Sequence, residues 1–199
     1  MWKRLLAEER NVFVVDTSNE IAGDGDLPHL SIGRARRLQV PSLNKQMNTM
    51  IECVQNHTPD VMVIDEIGRP AEVEAAQTCK QRGVRMIASA HGDVRKLLKN
   101  QQLNFLIGGI TSVIVGDRDA KVVINTAGDS HKQKIQYQRK GAPIFDMIVE
   151  LSRGKVDAWY VVQNAAVAVD AIIENKHYQR ERRVRNASTG AFSIDIVNA

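Results

Sequence analysis

The 199-residue sequence is poor in cysteine and aromatic residues and has no long hydrophobic run. Cys53 and Cys79 lie far apart without a CxxC spacing, and there is no secretory signal, so we expect reduced, buried thiols in a cytosol-like compartment. No apolar stretch approaches the ~18 residues of a membrane-spanning helix. The first residues, 1–9, have the composition of a helix rather than of a targeting peptide. These absences exclude a disulfide framework and a membrane span.

The composition is that of a globular protein. Hydrophobic residues make up 43% of the chain and charged residues 25%, with a net charge of +4. A chain of this length can bury an ordinary hydrophobic core. We therefore expect one domain with a small appendage and only a mildly basic surface.

The stretch Val61-Met-Val-Ile-Asp-Glu-Ile-Gly68 organises the rest of the sequence. Its short apolar run predicts a buried strand of a parallel sheet, which ends in Asp65 and Glu66. Ligands of parallel α/β sheets bind beyond the carboxyl ends of the strands. An aspartate there can hold a magnesium ion, and a following glutamate can deprotonate a water. The alternative is a buried strand that simply emerges into a polar turn.

Strands and helices alternate along the first part of the chain. Each predicted strand ends in a polar residue, and this pattern is typical of an α/β, doubly wound parallel sheet. The predicted strands are Val12–Val15, Val61–Ile64, Val84–Ala88 and Ser112–Val115, and the predicted helices are Asn44–His57, Pro70–Lys80 and Asp93–Lys99.

The remaining residues predict a mixture of short elements. We expect a hairpin between Lys121–Asn125 and Lys134–Lys140, then strands at Ile144–Leu151 and Val156–Val162. A helix follows at Asn164–Glu174, and then comes a stretch rich in basic residues. The predicted domains are a core over 1–151, a strand-helix extension over 152–177 and a basic, poorly structured tail over 178–199.

Three local clusters are candidates for chemistry. Ser89 and His91 follow a predicted strand and can sense a phosphate, or His91 can be a structural hydrogen bonder. The acids and histidine of residues 24–29 can bind a metal or form a solvated turn. Arginine matches phosphate oxygens, so the cluster at 34–37 can stabilise charge, contact nucleic acid or form a plain solvated surface. Its arginines are Arg34, Arg36 and Arg37.

Five segments between about Leu5 and Leu151 resemble, in order and spacing, a specific family of P-loop ATPases. The segments are VFVVDTSNEIAGDGDLPH, IGRARRLQVP, HTPDVMVIDEIG, ASAHG and GGITSVIVGD. The family is that of the hypothetical chloroplast reading frame 45 protein of cyanobacteria and plastids, and stage III sporulation protein AA is a more distant relative. The resemblance implies a RecA/AAA-like parallel sheet with a C-terminal β-hairpin extension, and ATP and Mg²⁺ as cofactors.

The resemblance also assigns roles to residues. Asp65 would be the Walker B acid that holds Mg²⁺ through water, and Glu66 the catalytic base. Ser89 and His91 would form the sensor, and Asp16 joins Asp65 as a cofactor-binding candidate. The candidates for an arginine finger, which would stabilise charge on the transferred phosphate, are Arg34, Arg36 and Arg37. Related ATPases work as rings, so the implied partner is a second copy or a complete family member.

The sequence departs from this family at one important point. No G-x-x-x-x-G-K-[ST] loop occurs in the 199 residues, and Gly23-Asp-Gly-Asp26 is too acidic to cradle phosphates. The strand that precedes this loop is also lacking. We therefore expect an ATPase-type protein that is defective in nucleotide binding as written. The alternatives are a non-catalytic interaction subunit and a nucleic-acid-binding module that uses the basic clusters. The expected location is the plastid stroma in a photosynthetic eukaryote, and otherwise the cytoplasm.

Overall fold

The computed structural model describes residues 10–116, 121–124, 130–133 and 135–199. The chain is a mixed α/β protein with one parallel four-stranded sheet and separate antiparallel sheets. It divides into two compact units, Met1–Gly92 and Asp93–Ala199. The sequence placed its boundaries elsewhere, after residues 151 and 177. Within the described ranges, no helix is long and apolar enough to cross a membrane.

The described part of the first unit contains a parallel sheet and two α-helices. Its strands are β1 (Val12–Asp16), β2 (Arg36–Gln39), β3 (Val61–Glu66) and β4 (Arg85–Ser89), and its helices are α1 (Gln46–His57) and α2 (Pro70–Gln81). The strand order is β2-β1-β3-β4, and every neighbouring pair is parallel. The predictions of β1, β3, β4 and both helices are confirmed. Strand β2 was not predicted, because its residues belong to the arginine cluster.

The two faces of this sheet are covered by different kinds of structure. On one face, the valines of β1 and β3 pack against Ala22, Ile32 and Ala35 from the connection between β1 and β2. On the other face, Phe13 stacks on His57 of α1, with 5.2 Å between the ring centroids. Strands β1 and β3 are therefore apolar on both sides, which is why their sequences read as continuous hydrophobic runs.

The turn after β3 is fixed by the start of α2. Pro70 occupies the first helical position, where no backbone N–H is needed. The buried carboxylate of Glu72 accepts hydrogen bonds from the backbone N–H groups of Gly68 (2.8 Å) and Arg69 (3.0 Å). Helix α2 is followed by Gly83, whose φ of 82° suits glycine. The backbone that follows Glu66 is thus held in one conformation.

The second unit combines two helices with antiparallel strands. Asp93 caps the first helix by accepting a hydrogen bond from the N–H of Lys96, which confirms that prediction. The elements are α3 (Val94–Lys99), β5 (Ile110–Ile114), β6 (Lys121–Ile124), β7 (Ser130–Gln133), β8 (Ile135–Arg139), β9 (Ile148–Leu151), β10 (Ala158–Val162), α4 (Ala165–Ile173), β11 (Gln179–Arg185) and β12 (Phe192–Asn198).

Strand β5 is not a fourth strand of the parallel sheet, and that prediction is wrong. It pairs antiparallel with β8, in the register Ile110 with Arg139. Gly108 and Gly109, with φ of 104° and 66°, form the turn that leads into the strand. Ile114 is 84% exposed, whereas a strand inside a parallel sheet is buried on both faces. The short apolar run alone could not distinguish these environments.

The predicted hairpin between 121–125 and 134–140 is also corrected. Strand β6 pairs with β7, while β8 pairs with β5, so the two predicted partners belong to different sheets. Gly128 and Asp129, which the sequence places in a turn between the two predicted strands, lie outside the described residues.

The end of the chain is ordered into strands, contrary to the predicted poorly structured tail. Strands β9 to β12 form a four-stranded antiparallel sheet in the order β12-β11-β10-β9. The arginines of β11 are balanced by acids on other strands and loops: Arg180 pairs with Glu150 (2.5 Å) and Arg185 with Asp157 (2.7 Å). A sequence rich in arginine can therefore form a central strand here, because its charges are paired.

Candidate functional site

The carboxyl ends of β1, β3 and β4 meet at one edge of the parallel sheet. Val15 lies beside Ile64 in the register, so Asp16 and Asp65 come next on neighbouring strands. Glu66 lies beside Ser89 across an irregularity in the pairing of β3 with β4. The structure therefore brings together four of the side chains that the sequence selected.

Asp16 is fully buried, with 0% of its surface exposed. Its Oδ2 accepts hydrogen bonds from the backbone N–H groups of Ala22 (2.7 Å) and Ile21 (3.1 Å). Its Oδ1 is buried without a hydrogen-bond partner in the part of the chain that the structure describes. One oxygen thus orders the loop after β1. The other is a buried acceptor whose desolvation is uncompensated.

The two acids at the end of β3 have different surroundings. Asp65 accepts a hydrogen bond from the N–H of Ser18 (3.1 Å) through Oδ2, and its backbone oxygen accepts one from the Ser89 hydroxyl. The Glu66 carboxylate is about half exposed, and its Oε1 lies 3.3 Å from Nε2 of His91. The Asp65 carboxylate is thus oriented by backbone, whereas Glu66 lies at the open side of the edge beside an exposed histidine.

Gln46 belongs to this edge and was not predicted. It is buried at the first position of α1, and its Nε2 donates a 2.6 Å hydrogen bond to the backbone oxygen of Glu66. Its Oε1 accepts a 2.5 Å hydrogen bond from the Thr17 hydroxyl. Gln46 therefore joins the ends of β1 and β3. Glutamine in the first turn of a helix is ordinarily solvated, so the sequence carried no signal for this role.

The three arginines predicted as finger candidates diverge. Arg37 donates to the backbone oxygens of Gly23 (2.6 Å) and Gly25 (2.7 Å), so it braces the loop. Arg36 lies over the Phe13 ring, 5.6 Å from its centroid. Arg34 is exposed and has no polar partner among the residues described. Within these residues, none of the three forms a hydrogen bond or ion pair with Asp65 or Glu66.

The acidic loop around His29 does not assemble a metal site. His29 Nδ1 accepts a hydrogen bond from the N–H of Ser31 and lies 2.9 Å from its hydroxyl. Across the described ranges, no group of three or more His, Cys, Asp or Glu side chains converges as metal ligands. The solvated-turn alternative therefore describes this loop better, and any ion bound at Asp65 needs oxygen ligands from water or from another molecule.

Cys53 and Cys79 are both buried and free, as the sequence predicted. Burial raises the pKa of the Cys53 thiol to about 12, and the nearby Cys79 adds to this shift. Burial likewise raises the pKa of Cys79 to about 11. Both thiols are therefore protonated and unreactive at neutral pH.

Comparison with known proteins identifies the family. The family model described as sporulation stage III, protein AA, matches residues 8–144, which include the whole parallel sheet and its carboxyl edge. The chain belongs to this family. Over 95 residues it is 32% identical to stage III sporulation protein AA of Bacillus subtilis, with 47% of the chain and 30% of that protein aligned.

Longer matches come from photosynthetic organisms. The chain is 48% identical to Protein SEEDLING PLASTID DEVELOPMENT 1 of Arabidopsis thaliana over 180 residues, which are 87% of the chain and 24% of that protein. It is 42% identical to the uncharacterized protein ycf45 of Porphyra purpurea over 187 residues, covering 92% of the chain and 32% of that protein. The chain thus spans only a quarter to a third of these relatives.

Proposed function

We propose that this chain is part of the core of a P-loop ATPase with a RecA-like arrangement, and that it binds Mg²⁺ and ATP at the carboxyl edge of the parallel sheet. The observation that carries the proposal is the pair Asp65 and Glu66 at the end of the interior strand β3. Ligands of parallel α/β sheets bind at this edge. The resemblance of the sequence to P-loop ATPases also supports it.

The oxygen donors at this edge suit magnesium. Mg²⁺ is held in proteins by one or two carboxylates, together with water and substrate phosphates. Asp65 is oriented by the N–H of Ser18, and neighbouring Asp16 has a buried oxygen without a partner in the described residues. Asp65 would hold the ion through water, with Asp16 as a second acceptor. An ion held there by Asp65 and Asp16 would supply positive charge that offsets the charge of the phosphates during phosphoryl transfer.

The protein's own side chains would position and deprotonate the attacking water. Glu66 is the proposed general base, and its accessible carboxylate leaves room for a water molecule. Gln46 fixes the backbone of Glu66, and the Ser89 hydroxyl fixes that of Asp65. His91 lies against the Glu66 carboxylate, where it would respond to the γ-phosphate.

The described residues do not provide a phosphate cradle of backbone N–H groups and a lysine. Binding by this chain alone is therefore expected to be weak, and tight binding of the triphosphate would need further contacts, for example from a partner. Arg34 remains the finger candidate because Arg36 and Arg37 already have contacts of their own. An arginine without a polar partner among the described residues suits a ring in which a neighbour completes the site.

We also propose that the protein acts in plastids, and within them in the stroma. The support is the name of the Arabidopsis relative, which refers to plastid development.

The test is titration of labelled ATP with and without Mg²⁺. We expect weak binding, in the roughly millimolar range, that requires Mg²⁺, with little or no hydrolysis. Asp65→Asn keeps an oxygen acceptor for the Ser18 N–H but removes the charge, so it should weaken binding about tenfold or more. Glu74→Gln, an exposed acid on α2, is the matched control and should have no effect. Absence of binding, or binding that is indifferent to both Mg²⁺ and Asp65→Asn, would contradict the proposal.

A further inference from the structure

The antiparallel sheet of the second unit has one packed face and one face whose outer strands expose apolar side chains. On the packed face, Glu150 accepts a hydrogen bond from the N–H of Val94 (2.9 Å), and the Arg180 guanidinium lies 3.9 Å from the centroid of Tyr160. Because side chains alternate along strands, their neighbours point to the opposite side. We call that side the outer face. It carries the apolar residues Val149, Leu151, Trp159, Val161, Phe192, Ile194 and Ile196, and the charged residues Glu181, Arg183 and Arg185 of β11.

The outer face is open to solvent along its two outer strands. Five of its seven apolar side chains are at least half exposed, from 51% for Val149 to 79% for Leu151, whereas Val161 on β10 is buried. The rings of Trp159 and Phe192 meet edge to face, with 5.9 Å between centroids, so the two aromatics are continuous across the sheet. Four strands about 4.8 Å apart and about six residues long give an area of roughly 400 Å². This area includes the charged side chains of β11. The largest apolar patch of a typical monomer is of similar size and is often functional.

The charges on the outer face are already balanced. Arg183 donates to the Glu181 carboxylate on the same strand (2.8 Å and 2.6 Å), and Arg185 pairs with Asp157 (2.7 Å). Binding of nucleic acid depends on cations that can neutralise phosphates. The apolar residues are mostly aliphatic and so are poor stacking platforms for bases. These features favour an apolar protein surface as the occupant.

The pattern of side chains on the outer face is complementary to itself. The register places Leu151, Trp159, Arg183 and Ile194 in one row across the four strands. Two copies can pack these sheets face to face around a two-fold axis that runs parallel to the strands. In this arrangement β12 of one copy lies over β9 of the other, and each row of one sheet lies over the same row of the other. Ile194 then faces Leu151 of the second copy, and Arg183 faces the ring of its Trp159. The apolar columns of β9 and β12 thus meet, and a guanidinium meets an aromatic face. In the next row, Glu181, which keeps its hydrogen bonds from Arg183, faces Val161 of the second copy.

We propose that the outer face is the interface of a homodimer, in which two copies of the chain pack these sheets face to face. About 400 Å² per copy is half the area of a standard stable interface. The dimer should therefore be weak and reversible. This inference is independent of nucleotide binding.

The first test is sedimentation over a wide range of protein concentration. We expect the average mass to rise from that of one chain, 22.2 kDa, towards twice that value. The double substitution Ile194→Thr/Ile196→Thr keeps β-branched residues but removes apolar surface, so it should weaken association about tenfold or more. Leu30→Thr, at an exposed leucine of the first unit, is the matched control and should associate like the unchanged chain. Circular dichroism checks that each variant is folded.

The second test is cross-linking. Leu151→Cys and Ile194→Cys lie three strand spacings apart in one chain, about 14 Å, which is too far for a disulfide within the chain. Oxidised glutathione should accept two electrons from each pair of thiols and join two copies of the double variant, whereas Leu30→Cys should not cross-link. A chain that stays monomeric at every concentration, with no cross-linking, would overturn the proposal. So would a monomer that binds single-stranded oligonucleotide and loses this binding in the threonine variant.

Discussion

Gln46 shows how one buried polar residue can hold the ends of two strands in place. Its amide makes one hydrogen bond to Thr17 and one to the Glu66 backbone, and it is 2% exposed. Removal of a buried amide leaves its partners without hydrogen bonds and commonly costs about 1–3 kcal/mol. Gln46→Ala should therefore lower the free energy of unfolding by about that amount, as measured by urea denaturation.

The matched control for Gln46 is Gln55→Ala, at an exposed glutamine of the same helix. The two substitutions have similar effects on helix propensity, so only the buried contacts differ. Equal stabilities of the two variants would show that the Gln46 hydrogen bonds contribute nothing.

The two thiols make stability depend on pH in the alkaline range. Burial raises the pKa of Cys53 and Cys79 from 9.0 to about 12 and about 11, so the folded state keeps protons that the unfolded state releases. Their contribution is complete below pH 9, and it is lost as the pH rises towards these values. Each thiol should lower stability by up to about 1.4 kcal/mol per pH unit above pH 9.

Urea denaturation between pH 8 and pH 11 measures this slope. In the variant Cys53→Ala/Cys79→Ala the slope should become shallower, although its absolute stability also falls because cavities form. An unchanged slope would mean that other groups determine the alkaline behaviour.

At the scale of elements, the connection between β1 and β2 is held by Arg37 and Asp16 at its two ends. Arg37→Met removes charged hydrogen bonds to the oxygens of Gly23 and Gly25, so it should destabilise the protein by about 1.5–3 kcal/mol. It should also increase proteolytic cleavage within residues 23–29. Arg34→Met, at the exposed arginine of the same segment, is the control. Similar melting temperatures and cleavage rates for the two variants would rule out the bracing role of Arg37.

The elements that were predicted correctly have signals within a few residues. Short apolar runs define β1 and β3, Pro70 marks the start of α2, and Asp93 caps α3. The choice of neighbouring strand is not determined by nearby residues, and the wrong predictions concern this choice. The pairing of β5 depends on Gly108, where a Cβ would lie 2.8 Å from the backbone oxygen of Gly141. The strand β11 depends on acids up to 30 positions away, such as Glu150 for Arg180.

The candidate site likewise contains residues that the sequence could predict and residues that it could not. Ser89 and the acids of β1 and β3 meet because the carboxyl ends of parallel strands share an edge, which a strand pattern predicts. Gln46 enters this edge from a helix, and the adjacent Arg36 and Arg37 take different contacts. Neither outcome can be read from spacing, since both depend on tertiary packing.

At the scale of the whole molecule, the chain accounts for 24% of its Arabidopsis relative and 32% of its Porphyra relative. Its sequence carries the acids of the proposed site, whereas tight binding of the triphosphate would need further contacts. The outer face offers a second surface that is not involved in this chemistry. Assembly of the chain with itself and assembly of the proposed nucleotide site can therefore be measured separately.

Strand β4 lies at the end of the parallel sheet and, within the described residues, has a strand neighbour on one side only. Its outer backbone groups form a row of hydrogen-bond donors and acceptors at the spacing that any extended peptide can match. When the chain is purified by itself, this row is a route to strand-mediated aggregation. The charge of the exposed Arg85 opposes the stacking of identical copies, and its replacement by an apolar residue would remove that protection.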